Sequence, residues 1–288
     1  MRVFVTGAAG FLGTAVCRHL KNNGDEVYGV DLQRPADQDF VTTVMDLRHC
    51  KEVYAAVKDC EAVVHLANST QKTSGSCPQK MYSDNSAMNA NVFQAAVETG
   101  IRKLIYASST QIFAGTRRGN EPHRPSVLPY LPLDENLPPC PGNAYAASKE
   151  AGEALLRYHS RWNAELCCTA IRWPLLVTQE KVNYFRERKP AENPDPKNLL
   201  DVGFSFLEVN DAADLVNAVL RSNQTGYKQY FPAAEQNRLG WSIAEIIKHF
   251  YPHVPLHIPI QEMHNIVNIS SITENVNWGP VNSSLDID

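Results

Sequence analysis

Tyr145 and Lys149 stand four residues apart in Tyr-Ala-Ala-Ser-Lys. On a helix that spacing puts a phenol and an ammonium on one face. An ammonium beside a phenol favours the phenolate and lowers a pKa that starts near ~10. The pair is therefore expected to let Tyr145 serve as a general acid or base near neutral pH. Y-x-x-x-K is common by chance, and a third group from a neighbouring strand is what gives it chemical meaning. Ser108-Ser109-Thr110 follows the apolar stretch Lys103–Ala107. Hydroxyls there fall at the carboxyl edge of a parallel sheet, where ligands of such sheets bind.

A second constellation opens the chain. Gly7-Ala-Ala-Gly10-Phe-Leu-Gly13 follows a short apolar strand and begins a helical pattern. Gly7 permits a tight turn, Gly10 lets backbone approach a pyrophosphate, and Gly13 lets the helix lie close to the strand. The helix N-terminus then offers free N–H groups to the anion. Asp31 ends the next strand, 24 residues after Gly7. A carboxylate there binds the hydroxyls of an adenosine ribose and repels a 2′-phosphate, which favours NAD over NADP. Arg34, three residues on, softens that preference.

Other chemically suggestive residues read as structural. His249, His253, His257 and His264 are close in sequence, but Pro252 and Pro255 break the helix that would align them, so no metal site is expected. His65 ends a buried strand and has no nucleophile beside it. Cys167 and Cys168 lie in a strand signal and read as core. Trp173 fits a pocket wall and plain packing equally well.

These residues need elements to position them. Strand and helix signals alternate: strands at 3–6, 26–30, 41–45, 62–66, 103–107 and 167–172, and helices at 11–21, 52–57, 84–99 and 143–161. That order predicts an α/β fold, a doubly wound parallel sheet of Rossmann type over residues 1–174. Residues 175–288 are less regular, with strands at 204–209 and 227–231 and helices at 211–221 and 242–250, and read as a smaller, interleaved substrate lobe. Residues 116–142 hold seven prolines and no period, as a lid, a substrate wall or a surface insertion would.

Composition bounds the function. The 288 residues are 43% hydrophobic and 20% charged, with a net charge of −4. That fits a globular protein and argues against nucleic acid as the main partner. The seven cysteines form no C-x-x-C pair, which points to a reducing, cytoplasmic setting. The uncharged stretch at 3–17 is interrupted by three glycines and followed by no A-x-A site, so it is expected to be strand, turn and helix rather than a leader. No other uncharged run approaches the ~18 residues of a membrane helix.

Together these residues resemble the extended short-chain dehydrogenase/reductases, of the NAD-dependent epimerase/dehydratase type, over nearly the whole chain. The likeness rests on VFVTGAAGFLG, Asp46-Leu47, His65-Leu66-Ala67, Asn85, Ile105-Tyr106-Ala107-Ser108-Ser109, Tyr145-x-x-x-Lys149, Phe206-Leu-Glu-Val-Asn-Asp211 and Asn277-Trp278-Gly279-Pro280. The resemblance implies Ser109, Tyr145 and Lys149 as catalytic residues, Ser109 being chosen over Ser108 and Thr110. It implies cofactor contacts from Gly7, Gly10, Phe11, Leu12, Gly13, Asp31, Asp46, Leu47, Leu66, Ala67, Asn85, Ala107, Tyr145, Lys149 and Pro174.

Three departures shape the expected substrate. Thr110-Gln111 follows the catalytic hydroxyl where dehydratases of this type carry Asp-Glu, which disfavours 4,6-dehydration. Leu175 and Phe204 stand where nucleotide-sugar enzymes place Asn and Arg. The expected function is NAD-dependent oxidoreduction at a hydroxyl or carbonyl carbon of a sugar or similar small molecule. The alternatives are a nucleotide-sugar 4-epimerase and a non-catalytic NAD(P)-binding redox sensor. The expected partners are that substrate, no membrane, and a second copy meeting helices 84–99 and 143–161.

Overall fold

The structure is a computed structural model describing residues 1–34, 40, 42–70, 74, 75, 77–116, 128–163, 165–187 and 203–285. Seven parallel strands form one sheet: β1 (Arg2–Thr6), β2 (Glu26–Asp31), β3 (Thr42–Val44), β4 (Ala62–His65), β5 (Lys103–Ser109), β6 (Cys167–Trp173) and β9 (Gly226–Tyr230). Their order is β3-β2-β1-β4-β5-β6-β9, the doubly wound Rossmann arrangement, with its reversal between β1 and β4. Near-continuous apolar strands such as Val3-Phe4-Val5 are buried on both faces, as parallel sheets require.

One face is covered by α1 (Phe11–Asn22) and α6 (Val209–Arg221), whose residues Val16, Leu20, Leu215 and Val216 share a core with β1 and β4. The other carries α2 (Cys50–Val57), α3 (Pro78–Glu98) and α4 (Ala144–Trp162), around Phe4, Val63, Phe93 and Leu104. α3 begins earlier than the 84–99 pattern predicts. Pro78 opens it at a position where its missing N–H costs nothing, and its buried face includes the polar Asn85 and Asn89, which an apolar period misses.

Beyond residue 174 the chain serves both parts. It adds α6 and β9 to the Rossmann layers and builds a second core from Phe204, Phe231, Ile246, Phe250 and Ile266. A two-stranded parallel sheet of β7 (Leu175–Val177) and β8 (Phe206–Glu208), and helices α5 (Gln179–Glu187), α7 (Ile243–Phe250) and α8 (Ser270–Val276), complete it. β7, α5 and α8 are too short or too polar to show a period.

From the Pro-rich stretch, residues 128–142 pack as a wall of this second core. Leu128, Leu131, Leu133 and Leu137 are buried, and Leu131 and Leu133 bridge to Leu256 and Val267. Residues 117–127, with Arg117, Arg118, His123 and Arg124, lie outside the described residues, as do residues 188–202.

Candidate active site

The carboxyl ends of β4, β5 and β6 converge on a cavity of about 480 Å³. Leu12, Leu66, Asn68, Ala107, Ser109, Tyr145, Lys149, Trp173, Pro174 and Leu175 are among the residues that line it, with Arg238 from the second lobe. Its volume suits a small ligand.

Each of the three consecutive hydroxyls has a different partner. Ser108 donates to the Glu153 carboxylate at 2.6 Å, and Thr110 donates to the Trp173 carbonyl at 3.3 Å. Ser109 accepts the Gln111 N–H at 3.2 Å and lines the same cavity as Tyr145. The α4 N-terminus fixes the partner side: Asn143 caps it by accepting the Ala146 N–H at 2.8 Å, two residues from the phenol.

Lys149 is 3% exposed and donates to the Ala107 carbonyl at 2.7 Å. Its Nζ is 5.0 Å from the Tyr106 ring centre and 5.5 Å from that of Tyr145. Here the sequence expectation is corrected. Burial pushes the Tyr145 phenol up, against the downward pull of the Ser109 hydrogen bond, and burial brings the Lys149 amine down to about 7. Desolvation disfavours the charged form of both groups, and at this separation it outweighs their attraction.

Beneath them runs a buried polar chain. The Thr6 hydroxyl accepts the Leu66 and Ala67 N–H groups, each at 3.2 Å, and so gives its own proton to His65 Nδ1 at 2.6 Å. His65 Nε2 then faces Asn89 Oδ1 at 3.0 Å, and Asn89 donates to the Tyr106 hydroxyl at 3.3 Å. Burial, with the nearby Lys149 charge, holds His65 down to about 3. It is a neutral strut, as its place in the sequence suggests.

The glycine turn fits a dinucleotide. Gly7 has φ +70°, and a Cβ on it would meet the Ala67 amide nitrogen at 2.8 Å. A Cβ on Gly13 would lie 1.9 Å from the Gly7 carbonyl oxygen. The turn therefore folds flush against α1 and the end of β4 only with these glycines. The α1 N-terminus has no side-chain cap and no acidic residue in its first turn, leaving its N–H groups for an anion. Asp31 Oδ2 accepts the Ala9 N–H at 3.0 Å, so the acid that would meet the ribose is tied to the same turn.

Other expected cofactor contacts divide. Leu12, Leu66, Ala107 and Pro174 line the cavity, and Ala67 abuts Gly7. Phe11 is exposed at the start of α1. Arg48 grips the Asp46 carboxylate and, by that hydrogen bond, holds it down to about 2, while Leu47 is buried in the core. The Asn85 amide accepts the Ser69 N–H at 2.6 Å and donates to Ser148 Oγ at 3.0 Å, stapling the β4 loop to α4.

Phe204, placed by resemblance at a diphosphate contact, turns away. With φ +52° it sends its ring into the second core, 4.7 Å from the Phe250 ring centre. Sequence reading missed Arg238 and Glu153. Arg238 lies in the loop after β9, at the same carboxyl edge as Ser109, and that edge position is the signal that could have found it. Glu153 follows Lys149 by one helical turn and forms a buried pair with Arg172 at 2.9 Å. Arg172 also donates to the Glu135 and Leu137 carbonyls of the wall at 2.8 and 3.0 Å.

The Rossmann sheet, the glycine turn and this cavity define a dinucleotide-binding protein. The chain belongs to the NAD dependent epimerase/dehydratase family, whose sequence model matches residues 3–230. A 2-alkyl-3-oxoalkanoate reductase of Shewanella oneidensis is 34% identical over 120 residues, covering 39% of this chain and 30% of that protein. An L-arabinose 1-dehydrogenase (NAD(P)+) of Haloferax volcanii is 27% identical over 194 residues, covering 66% of this chain and 72% of the relative. The crystal structure of UDP-glucose 4-epimerase with UDP-glucose from Thermotoga maritima superposes with a TM-score of 0.67 at 17% identity, covering 99% and 96% of the two chains, and so shares the fold. Among the described residues no helix is long and apolar enough to cross a membrane.

Proposed function

We propose that the chain is an NAD-dependent oxidoreductase acting on a hydroxyl or carbonyl carbon of a sugar or similar small molecule. The observation that carries this reading is the meeting of Ser109, Tyr145 and Lys149 on one cavity, with Lys149 buried. NAD, when bound, supplies the hydride acceptor. The Gly7–Gly13 turn and the α1 N-terminus would hold its pyrophosphate and Asp31 its adenosine ribose. With the Asp46 side chain engaged by Arg48, the 46–47 backbone is left to meet the adenine.

Tyr145 takes the proton of the substrate hydroxyl in oxidation and returns it in reduction. Ser109 hydrogen-bonds the same oxygen and fixes its distance from the phenol. The desolvated Lys149 amine is a proton store poised near neutrality, and the positive nicotinamide of a bound NAD would favour the phenolate that burial disfavours. Leu12, Leu66 and Pro174 exclude water from the proton transfer.

A nucleotide-sugar 4-epimerase is the second reading, favoured by the shared fold. Leu175 in the cavity and Phe204 in the core count against it, because a diphosphate needs charged or hydrogen-bonding partners. A redox sensor would need neither Tyr145 nor Lys149. A homodimer through α3 and α4 is supported by the exposed Tyr82, Tyr158 and Trp162. A reducing, cytoplasmic setting agrees with seven free cysteines.

The test is formation of NADH when the protein and NAD meet a panel of sugars, sugar acids and small hydroxy compounds. Net NADH from any member is the expected result. Interconversion of UDP-sugars with no net NADH would replace this reading with the epimerase.

A further inference from the structure

Tyr145, Lys149 and Glu153 follow one another at intervals of four along α4 and so share one stripe of its surface. Two of them grip the end of β5. Lys149 donates to the Ala107 carbonyl at 2.7 Å, and the Glu153 carboxylate accepts the Ser108 hydroxyl at 2.6 Å. The Ala107 carbonyl and the Ser108 nitrogen belong to one peptide group. α4 therefore holds the last part of β5 at two points, one helical turn apart, and the residue that follows is Ser109. Glu153 is 0% exposed and fixed from its other sides: Arg172 donates to it through Nε at 3.0 Å and Nη2 at 2.9 Å. The Tyr227 hydroxyl at 3.5 Å and Arg157 Nη1 at 3.6 Å lie against the same carboxylate. Ser108 is 2% exposed, and a short hydrogen bond to so immobile a charged acceptor fixes its side-chain rotamer and the backbone beside it.

We propose that Ser108 is a positioning residue for the reaction: its hydroxyl, pinned to Glu153, sets the place of Ser109 on β5 relative to Tyr145 on α4. Its own proton is committed to the carboxylate and is not offered to the substrate. Ser109 and Tyr145 have to meet one substrate oxygen from two different elements. Residues 110–143 separate β5 from α4 in the chain, so connectivity does not fix their spacing. The bonds of Lys149 and Ser108 do. The Lys149 bond weakens when that amine, brought down to about 7, gives up its proton. The Ser108–Glu153 bond does not depend on the protonation of the reacting groups and keeps the spacing throughout. A displacement of about 1 Å between reacting groups is enough to slow a reaction roughly a hundredfold.

This rests on reading Ser109 and Tyr145 as the reacting pair, and the experiment separates the two. Ser108→Ala cuts the link and leaves the Glu153–Arg172 pair in place, whereas Ser108→Thr keeps the hydroxyl. Thermal melting would confirm that both variants fold. NADH formation is followed from D-galactose, D-galacturonate and 3-hydroxybutyrate, and the probe that wild type turns over fastest serves for the comparison. Ser108→Ala is expected to lower kcat roughly ten- to a hundredfold, with KM and the NAD dissociation constant within about twofold of wild type. Ser108→Thr is expected to recover most of the loss. A second measurement needs no substrate. Amide hydrogen exchange in the presence of NAD is expected to quicken roughly tenfold at residues 107–111 in Ser108→Ala, while β1 stays protected.

The proposal is overturned by unchanged exchange at 107–111, or by a kcat within about twofold of wild type in folded Ser108→Ala. It is also overturned by a loss carried by KM or by NAD affinity, or by a folded Ser108→Thr as slow as Ser108→Ala. NADH from none of the three probes with wild type counts against the oxidoreductase reading instead, and the exchange result still decides the role of Ser108.

Discussion

Lys149 is a cation by residue type and an amine by environment. Burial lowers it from 10.5 to about 7, so in the cofactor-free protein the unfolded chain binds more protons than the folded one between those values. Stability from this group therefore rises as pH rises from about 7 toward 10.5, and its full penalty stands below about 7. The difference in unfolding free energy between wild type and Lys149→Met should change across that window by on the order of a few kcal/mol. Urea unfolding at several pH values measures it, and a pH-independent difference would contradict the buried amine. Asp31 gives a second residue-scale expectation. Its carboxylate holds the Ala9 N–H and faces the expected ribose site, so Asp31→Ala should weaken NAD and narrow the preference over NADP. Fluorescence titration of both cofactors decides this, and tighter NADP binding by wild type would point to Arg34. Spacing and strand position were enough to place Tyr145, Lys149 and the 108–110 hydroxyls on one cavity, while the choice of Ser109 among the three came from the resemblance. The direction of the Tyr145 shift was not legible, because desolvation depends on what later segments lay over the site.

At the scale of elements, β5, α4, β6 and the 128–142 wall are joined by one buried ion pair. Glu153 accepts from Ser108, next to Ser109, and from two nitrogens of Arg172, at 3.0 and 2.9 Å. Arg172 reaches the wall carbonyls. Removing one partner leaves the other charge buried, at a cost of roughly 3–5 kcal/mol. Glu153→Ala should lower unfolding free energy by that amount. Replacing the pair with Glu153→Leu and Arg172→Met should recover much of it, and a single-variant loss under about 1 kcal/mol would show the clamp to be idle. The strands and long helices follow from apolar periodicity. The early start of α3 and the short β7 and α8 do not, because a buried Asn, a three-residue strand and a seven-residue helix leave no periodic trace.

For the whole molecule, the Rossmann half is encoded locally, each strand and turn carrying its own signal. The second lobe is encoded by long-range packing: Phe204 reaches Phe250, and Leu133 bridges to Val267. Arg238 enters the cavity only once that lobe has formed. The lobe's apolar Leu175 and inward Phe204 lead to an expected weak affinity for UDP and UDP-sugars in the presence of NAD. Calorimetry giving low-micromolar UDP affinity would restore the epimerase reading. The central claim is that the Tyr145 phenol moves the substrate proton, and comparison of Tyr145→Phe with wild type tests it most directly, on whichever substrate yields NADH. The ring and fold are kept, so NAD affinity should stay within about twofold, while turnover should fall by roughly 10²–10⁴-fold. A variant that binds NAD normally and keeps more than about a tenth of the wild-type rate would contradict the account.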